Sequence, residues 1–435
     1  MLRNTRRVAI VCGIRTPFIR AGTLFRDLSS LDLGRIVTVE LINRSEVDPK
    51  DIDEVVFGSM VSVARTPNLA RDIALASGIG ASIPAYTVTM SCISGIRAFT
   101  SALEGIALGN RDTVLVGGVE SFSECASSLS SKMFDVRFKK GSFKTVSLLQ
   151  RVNAFFGNGS YELSFGLPFL LDTSAGITLG ESAEKMARKH SITRREQDEF
   201  AARSHNLASI SAKDGRRFGE EIISLLLPPD FSTLVCSDNE VCKNISVEAL
   251  SKEEPIFDRR YGTVTFGNSS YLSDGASAVL LMAEEKARAL GYNPLGYVRA
   301  YAYASASVCT GEKLLMGPAY STPIALELAE LTLREVDLVE IQETFAAQVL
   351  SNARAFASKK FAREELNRSN PVGEIELERL NVLGGSIAIG YPFGACGLGI
   401  IVTLLNELKR RDRNFGLVCM SASGGLGVSI ILERE

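Results

Sequence analysis

The sequence has no tryptophan and only two histidines, His190 and His205, in 435 residues. So few imidazoles exclude His-rich metal sites and most mechanisms built on a histidine base. Aromatic residues at 7% without any Trp also count against a base-stacking or sugar-binding surface. A net charge of -2 supplies no global attraction to nucleic acid, and no nucleic-acid partner is expected. The eight cysteines form no CxxC pair, which removes the usual zinc and dithiol motifs. No stretch approaches the roughly 20 apolar residues that a membrane span needs. Basic Met1–Arg7 is followed by an apolar run, Val8–Cys12, too short for a secretory core. A cytoplasmic protein with reduced thiols is expected, and most cysteines read as small buried residues.

What is present is an ordinary globular composition, 46% hydrophobic and 23% charged, which excludes extended disorder. The length is too great for one ordinary domain and points to several units or to duplicated halves. Strand and helix patterns alternate. Val8–Val11 reads as a strand, Leu31–Asn43 as a helix, Glu54–Phe57 as a strand, Gly95–Leu108 as a helix and Thr113–Gly117 as a buried strand. From about Ser123 to Asn268 the periodicity weakens, with Thr193 as an N-cap for a helix running toward Ala208. Ser277–Met282 returns as a strand, Glu284–Leu290 as a helix, and from Leu295 the alternation repeats. Lys50–Val55 is similar to Arg334–Val339, each following an amphipathic helix and entering a strand. That pair predicts a duplicated α/β fold, although α/β units share such patterning in any case.

One local arrangement carries chemistry. Cys92 follows an apolar strand, Tyr86–Thr89, and precedes the helix that begins near Gly95. A sulfur at such a turn lies in the field of a helix N-terminus, which favours the thiolate, and backbone N–H groups there can hold an oxyanion. A buried structural cysteine is the competing reading of the same residues.

The wider chain resembles the thiolases, in particular the long-loop branch found as thiolase subunits of multienzyme fatty-acid β-oxidation complexes. The resemblance runs through Gly13–Phe18, Gly117–Ser121, Tyr261–Thr265 with Asn268 and Ser270, Met316–Pro318 with Ser321–Pro323, Asn381–Ala388 and Gly424–Gly427. It implies a thiolase fold: two duplicated α/β domains in a layered sandwich with an inserted loop domain. The divisions expected are 1–123 for the N-terminal domain, 124–270 for the loop domain, 271–293 for the return, and 294–435 for the C-terminal domain. It also implies a CoA-dependent acyltransferase acting on acyl-CoA or 3-ketoacyl-CoA thioesters, with no cofactor and no metal. A homodimer is implied, and a hydratase/dehydrogenase subunit is a further candidate partner.

Carried over residue by residue, Cys92 matches the nucleophile, and Glu343 and Phe345 match two positions of the N/H-E-A-F water-holding motif. Ser270 matches a serine near the pantetheine of coenzyme A, Phe345 is implied as a second coenzyme A contact, and Ser423 supplies a backbone oxyanion donor. Three motifs depart from the family pattern. Gly390-Tyr391-Pro392 puts Tyr391 at the family histidine, Gln342-Glu343-Thr344-Phe345 puts Gln342 at the head of the motif, and Ser421 stands at the second cysteine. A phenol with a pKa near ~10 and an aliphatic hydroxyl are poor bases at neutral pH. Weak conventional thiolysis is therefore expected, with acylation of Cys92 and transfer to another acceptor as residual chemistry. A non-catalytic acyl-CoA-binding scaffold or regulatory subunit, and a Cys-dependent acyl-CoA hydrolase, stay open as alternatives. Cys419, two residues before Ser421 on the same strand face, is too far along the chain to replace it. Lys139, Lys140, Lys144 and Arg151 interleave with apolar residues at helical spacing over 139–156. That segment reads either as a membrane-surface or partner-docking helix or as a helix packed on its own protein.

Overall fold

The apolar runs become the centre of a ten-stranded mixed sheet in the computed structural model, which describes residues 5–61, 66–124, 170–215 and 220–434. The first strands are β1 (Val8–Arg15), β2 (Ile19–Arg20), β3 (Glu54–Gly58), β4 (Ala85–Val88) and β5 (Thr113–Glu120). Two small hairpins follow, β6 (Leu171–Asp172) with β7 (Ile177–Thr178) and β8 (Leu225–Leu227) with β9 (Thr233–Val235). The sheet is completed by β10 (Ser273–Ala283), β11 (Gly296–Ser305), β12 (Leu338–Ile341), β13 (Phe415–Ala422) and β14 (Leu426–Glu433). Its order is β12-β13-β14-β11-β1-β10-β5-β3-β4, with β2 on β10.

The two halves repeat one another. β3 pairs β5 in parallel as β12 pairs β13, and β5 meets β10 antiparallel as β13 meets β14. β1 and β11 close the halves on β10 and β14 and join each other through Ala9 opposite Tyr297 and Ile10 opposite Gly296. The 3-10 turns Pro49–Asp51 and Leu333–Glu335 lead into β3 and β12, so the similar segments occupy equivalent places. Both faces of β5 and β10 are covered, and every residue of these strands is buried.

Several strands run beyond the apolar patterns that announced them. β5 continues through Gly117 and Gly118 to Glu120, where small residues break the hydrophobic pattern because neighbours come too close for side chains. A Cβ on Gly117 would lie 2.1 Å from the Phe57 ring, and one on Gly118 would lie 2.0 Å from the Gly394 carbonyl.

The described helices are α1 (Ser30–Ser45), α2 (Leu69–Ala76), α3 (Ser94–Ala107), α4 (Leu179–Lys189), α5 (Arg194–Lys213) and α6 (Val247–Leu250). They continue with α7 (Glu284–Ala289), α8 (Gly317–Ala329), α9 (Ala346–Ala357), α10 (Lys359–Leu366), α11 (Ser386–Ile389) and α12 (Phe393–Arg410). α3 and α12 form the inner layer, and their starts approach backbone to backbone: a Cβ on Gly95 would lie 2.0 Å from the Gly394 carbonyl. Both helices are therefore held with their N-terminal ends together.

Thr193 caps α5 in a reciprocal box with Glu196, and the helix runs past Ala208 to Lys213. His190 is the C-cap of α4, but burial first, then Lys189 and Arg354, push its pKa below the usual value. It is a neutral end group and not the cation that a favourable helix-end interaction would use. His205 is packed inside, its Nδ1 accepting the Cys242 N–H at 3.3 Å, and burial lowers its pKa to about 4. Residues 139–156, read as a docking helix, lie outside the described residues. No helix among the described residues is long and apolar enough to cross a membrane.

Candidate active site

Cys92 sits in the tight turn between β4 and α3. Ser94 locks that turn, its hydroxyl donating to the Ser91 carbonyl at 2.6 Å and accepting from the Met90 N–H at 2.9 Å. Ser91 takes the left-handed conformation, φ 51°, which costs a non-glycine residue energy and turns the next side chain inward. Cys92 is 3% exposed, and its sulfur faces the Ser91 hydroxyl at 3.7 Å, the Ser423 N–H and the Tyr391 hydroxyl. Burial pushes the thiol pKa up, the nearby Glu120 carboxyl adds to the rise, and the Ser91, Ser423 and Tyr391 donors only partly oppose it. The thiolate-favouring turn expected from sequence is thus overridden by desolvation, and Cys92 rests as a thiol. The Ser91 and Ser423 hydroxyls meet at 2.6 Å, tying the nucleophile turn to the end of the β13 hairpin.

Tyr391 reaches this place from the other half of the chain. Gly390, at φ 94°, turns the backbone so that the Tyr391 N–H bonds the Tyr271 carbonyl at 3.0 Å. Its ring stands edge-on to Phe393 with centroids 4.6 Å apart. The hydroxyl faces Cys92 and Thr344 and helps to hold the thiol pKa down, although it makes no hydrogen bond of regular geometry among the described residues. Burial, reinforced by the two sulfurs of Cys92 and Cys396, raises the phenol pKa well above its usual value.

Gln342 to Phe345 lie between β12 and α9. The Gln342 N–H bonds the Cys419 carbonyl at 2.9 Å, fixing the segment against β13. Glu343 is fully buried and accepts from Asn381 Nδ2 at 2.6 Å, Ser204 Oγ at 2.7 Å and the Ile387 N–H at 3.1 Å. Burial raises its pKa against these bonds. It ties α5, the turn before α11 and the Gln342 segment into one frame. The Thr344 hydroxyl donates to Gln342 Oε1 at 2.9 Å, and its N–H donates to Gln348 Oε1 at 3.1 Å. Ser270 and Phe345, carried over as coenzyme A contacts, are 2% and 0% exposed. The Ser270 N–H bonds the Thr344 carbonyl at 3.0 Å and its hydroxyl bonds the Glu343 carbonyl. Ser421 lies on β13 opposite Gly427, buried, its hydroxyl without a partner among the described residues. Cys419 is engaged elsewhere, with Thr322 at 3.3 Å, and burial raises its thiol to about 11.

Sequence reasoning therefore names Cys92, Tyr391 and Ser423, which the fold draws around one sulfur, and Gln342, which is linked to them only through Thr344 at the Tyr391 hydroxyl. It misses Ser91, Thr344, Gln348 and Glu120. Glu120, at the end of β5, accepts from the N–H groups of Met60, Val61 and Gly394 and from the Ser59 hydroxyl, with its pKa raised by burial to about 7. Thr344 and Glu120 stand inside the very motifs read from the sequence, but their partners are remote in the chain. Among the described residues no group of three His, Cys, Asp or Glu could hold a metal ion.

Comparison with known proteins covers nearly the whole chain. Residues 8–285 match the family model for the thiolase N-terminal domain and residues 292–434 that for the thiolase C-terminal domain. A 3-ketoacyl-CoA thiolase of Shewanella woodyi is 42% identical over 429 residues, covering 99% of this chain and 97% of that protein. The acetyl-CoA acetyltransferase of Bacillus anthracis shares the fold at a TM-score of 0.81 and 31% identity, over 99% of both chains. Human mitochondrial 3-ketoacyl-CoA thiolase in complex with CoA gives 0.80 and 27%, over 99% of this chain and 98% of that one.

Proposed function

The chain belongs to the thiolase family and is a thiolase-type acyltransferase, and we propose that it takes an acyl group from an acyl-CoA or 3-ketoacyl-CoA thioester onto Cys92 while carrying out conventional thiolysis poorly. The observation that carries this is the company of the sulfur. Among the described residues, the polar side chains facing Cys92 at hydrogen-bonding range, Ser91 and Tyr391, are both hydroxyls, and neither is a base at neutral pH.

Acylation asks little of such a site. Cys92 Sγ attacks the thioester carbonyl, the bond from that carbon to the coenzyme A sulfur breaks, and the thiol proton leaves with coenzyme A. The Cys92 and Ser423 N–H groups supply oxyanion donors. Thiolysis of a 3-ketoacyl thioester is more demanding, because the carbon–carbon bond must break and the departing carbanion must be protonated. Tyr391 and Ser421, at the positions the family gives to a histidine and a second cysteine, offer no acid of suitable pKa. Each missing acid/base group costs ~10²–10⁴-fold. Assembly as a homodimer belongs to the same reading. A second reading, a scaffold that binds acyl-CoA without reacting, is favoured by the burial of Cys92 and its raised pKa.

Two measurements test this. Incubation with acetyl-CoA and longer acyl-CoAs, followed by peptide-resolved mass spectrometry, is expected to show an acyl adduct on Cys92; no adduct at any chain length leaves the scaffold. Thiolysis of acetoacetyl-CoA and of a long-chain 3-ketoacyl-CoA should be at least ~10²-fold faster in Tyr391→His/Ser421→Cys than in the wild type. Equal rates would overturn the account of the missing groups.

A further inference from the structure

The hairpin of β6 and β7 lies where the periodicity of the sequence weakens, and it carries none of the motifs read from the chain. Its Asp172 nevertheless reaches the turn that faces Cys92. Asp172 is 4% exposed, and its two carboxylate oxygens have separate partners. Oδ1 accepts the Ala175 N–H at 2.9 Å inside the hairpin, while Oδ2 accepts the Gly424 N–H at 2.6 Å, far away in the chain. Gly424 follows Ser423, whose own N–H is turned to the Cys92 sulfur. Gly424 and Gly425 are both left-handed, at φ 80° and 74°, and a Cβ on Gly424 would meet nothing within 4 Å. Successive glycines with room about them let a turn rotate its peptides unless bonds from outside hold them. Such bonds are present on each residue of this turn. Asp172 takes the Gly424 N–H, the Ala306 N–H donates to the Gly425 carbonyl at 2.8 Å, and the Ser91 and Ser423 hydroxyls meet at 2.6 Å. The last of these grips a side chain that can rotate by itself. Among the described residues it is Asp172 that holds the peptide joining Ser423 to Gly424, and a carboxylate accepts an N–H more strongly than a neutral oxygen does. Its mount is firm, because β7 ends at Thr178, the N-cap of α4, and Ser182 of α4 donates to the Gly311 carbonyl at 2.6 Å.

We propose that Asp172 is a positioning residue for acylation of Cys92, holding the Gly424 N–H so that the Ser423 N–H stays aimed at the oxygen on which charge develops as Cys92 attacks. This rests on the reading of Cys92 as the acyl acceptor. Asp172 acts through the backbone of the turn and takes no proton in the step. A donor on a fixed peptide needs no reorganisation when the negative charge appears, whereas a donor on a rotating turn must be brought back each time. A displacement of about 1 Å is enough to cost ~10²-fold. The interaction grows as the charge grows, so its loss falls on the rate of acylation more than on the binding of the thioester. The inserted loop region thereby serves the chemistry directly, through one carboxylate at the base of a two-stranded hairpin.

The test compares wild type, Asp172→Leu and Asp172→Asn for single-turnover acylation of Cys92 by acetyl-CoA, read by intact-protein mass spectrometry. Alkylation of Cys92 by iodoacetamide is measured beside it. Leucine has the branched shape of aspartate without either acceptor oxygen. It is expected to slow acylation at saturating acetyl-CoA by ~10²-fold, with the half-saturating concentration changed by less than about threefold. An amide has one acceptor oxygen for two N–H groups and sets an NH2 against the other, so asparagine is expected to lie between, at a loss of ~10-fold. Alkylation builds no oxyanion and should change by less than about threefold in both variants. A wild-type acylation rate in Asp172→Leu overturns the positioning role. Should the leucine variant not fold, asparagine decides, and a wild-type rate in Asp172→Asn overturns it. Alkylation altered in step with acylation marks a general loosening of the site and also overturns it. No adduct in the wild type overturns the acyl-acceptor reading itself, and the positioning role with it.

Discussion

Cys92 shows how a residue's setting can reverse what its position in the chain suggests. A turn at a helix N-terminus favours a thiolate, yet desolvation prevails and the pKa is raised. The reactivity of the thiol should therefore climb by about tenfold per pH unit through neutrality and keep rising past pH 9. Alkylation with iodoacetamide, read at the Cys92 peptide apart from the exposed Cys242 and Cys309, checks this. Tyr391→Phe removes a donor that lowers the thiol pKa, so its profile should move to still higher pH; a profile that levels off below pH 8 in the wild type would contradict the burial argument. The meeting of Cys92 and Tyr391 was legible in the sequence to the extent that each stands in a short motif. Thr344 and Gln348 were not, because the hydrogen bonds that link Thr344 to Gln342 and Gln348 are set by the folded backbone. Spacing along a chain carries no information about that.

At the scale of elements, glycine decides where the reactive side chains can meet. Within α3, Gly95 faces the Gly394 carbonyl at main-chain contact, whereas a Cβ on Gly105 would come no nearer than 3.9 Å to Arg111. Gly95→Ala is therefore expected to separate α3 from α12 and give insoluble or molten protein. Gly105→Ala should fold and gain about 0.5–1 kcal/mol from the lower backbone entropy of its unfolded chain. Thermal melts of the two variants provide the check, and a normally folded Gly95→Ala would show that the contact can relax. The strands and helices themselves were largely anticipated from periodicity. Their ends were not, since Gly117, Gly118 and the small residues that open β10 answer to packing partners far away in the chain.

Across the whole molecule, buried titratable groups set the response to pH. Burial raises Glu120 to about 7 and Asp274 to about 6, so the folded chain holds their protons more tightly than the unfolded chain does. The stability linked to these protons is fully present below the unfolded pKa values of ~4 and is lost as the pH rises through 6 and 7. His205, lowered to about 4, acts in the opposite sense, its contribution present above ~6.5 and lost as the pH falls toward 4. Between pH 6.5 and 8 only Glu120 of these three still changes appreciably. Denaturant unfolding should show stability declining across that interval in the wild type and a flatter course in Glu120→Gln. An equal decline in both would remove Glu120 from the account. The duplicated architecture was visible in the sequence through the similar segments at Lys50 and Arg334. The joining of the halves into one sheet was not, because it depends on only two residue pairs between β1 and β11.

The meeting of Gly95, Gly118 and Gly394 has one more consequence. It is a seam where main chain meets main chain as the two helix starts come together. What positions 92 and 391, just before Gly95 and Gly394 in the chain, display can therefore vary without disturbing the seam. One main-chain frame can thus carry different side chains at its reactive end, as a fixed mount carries a replaceable fitting.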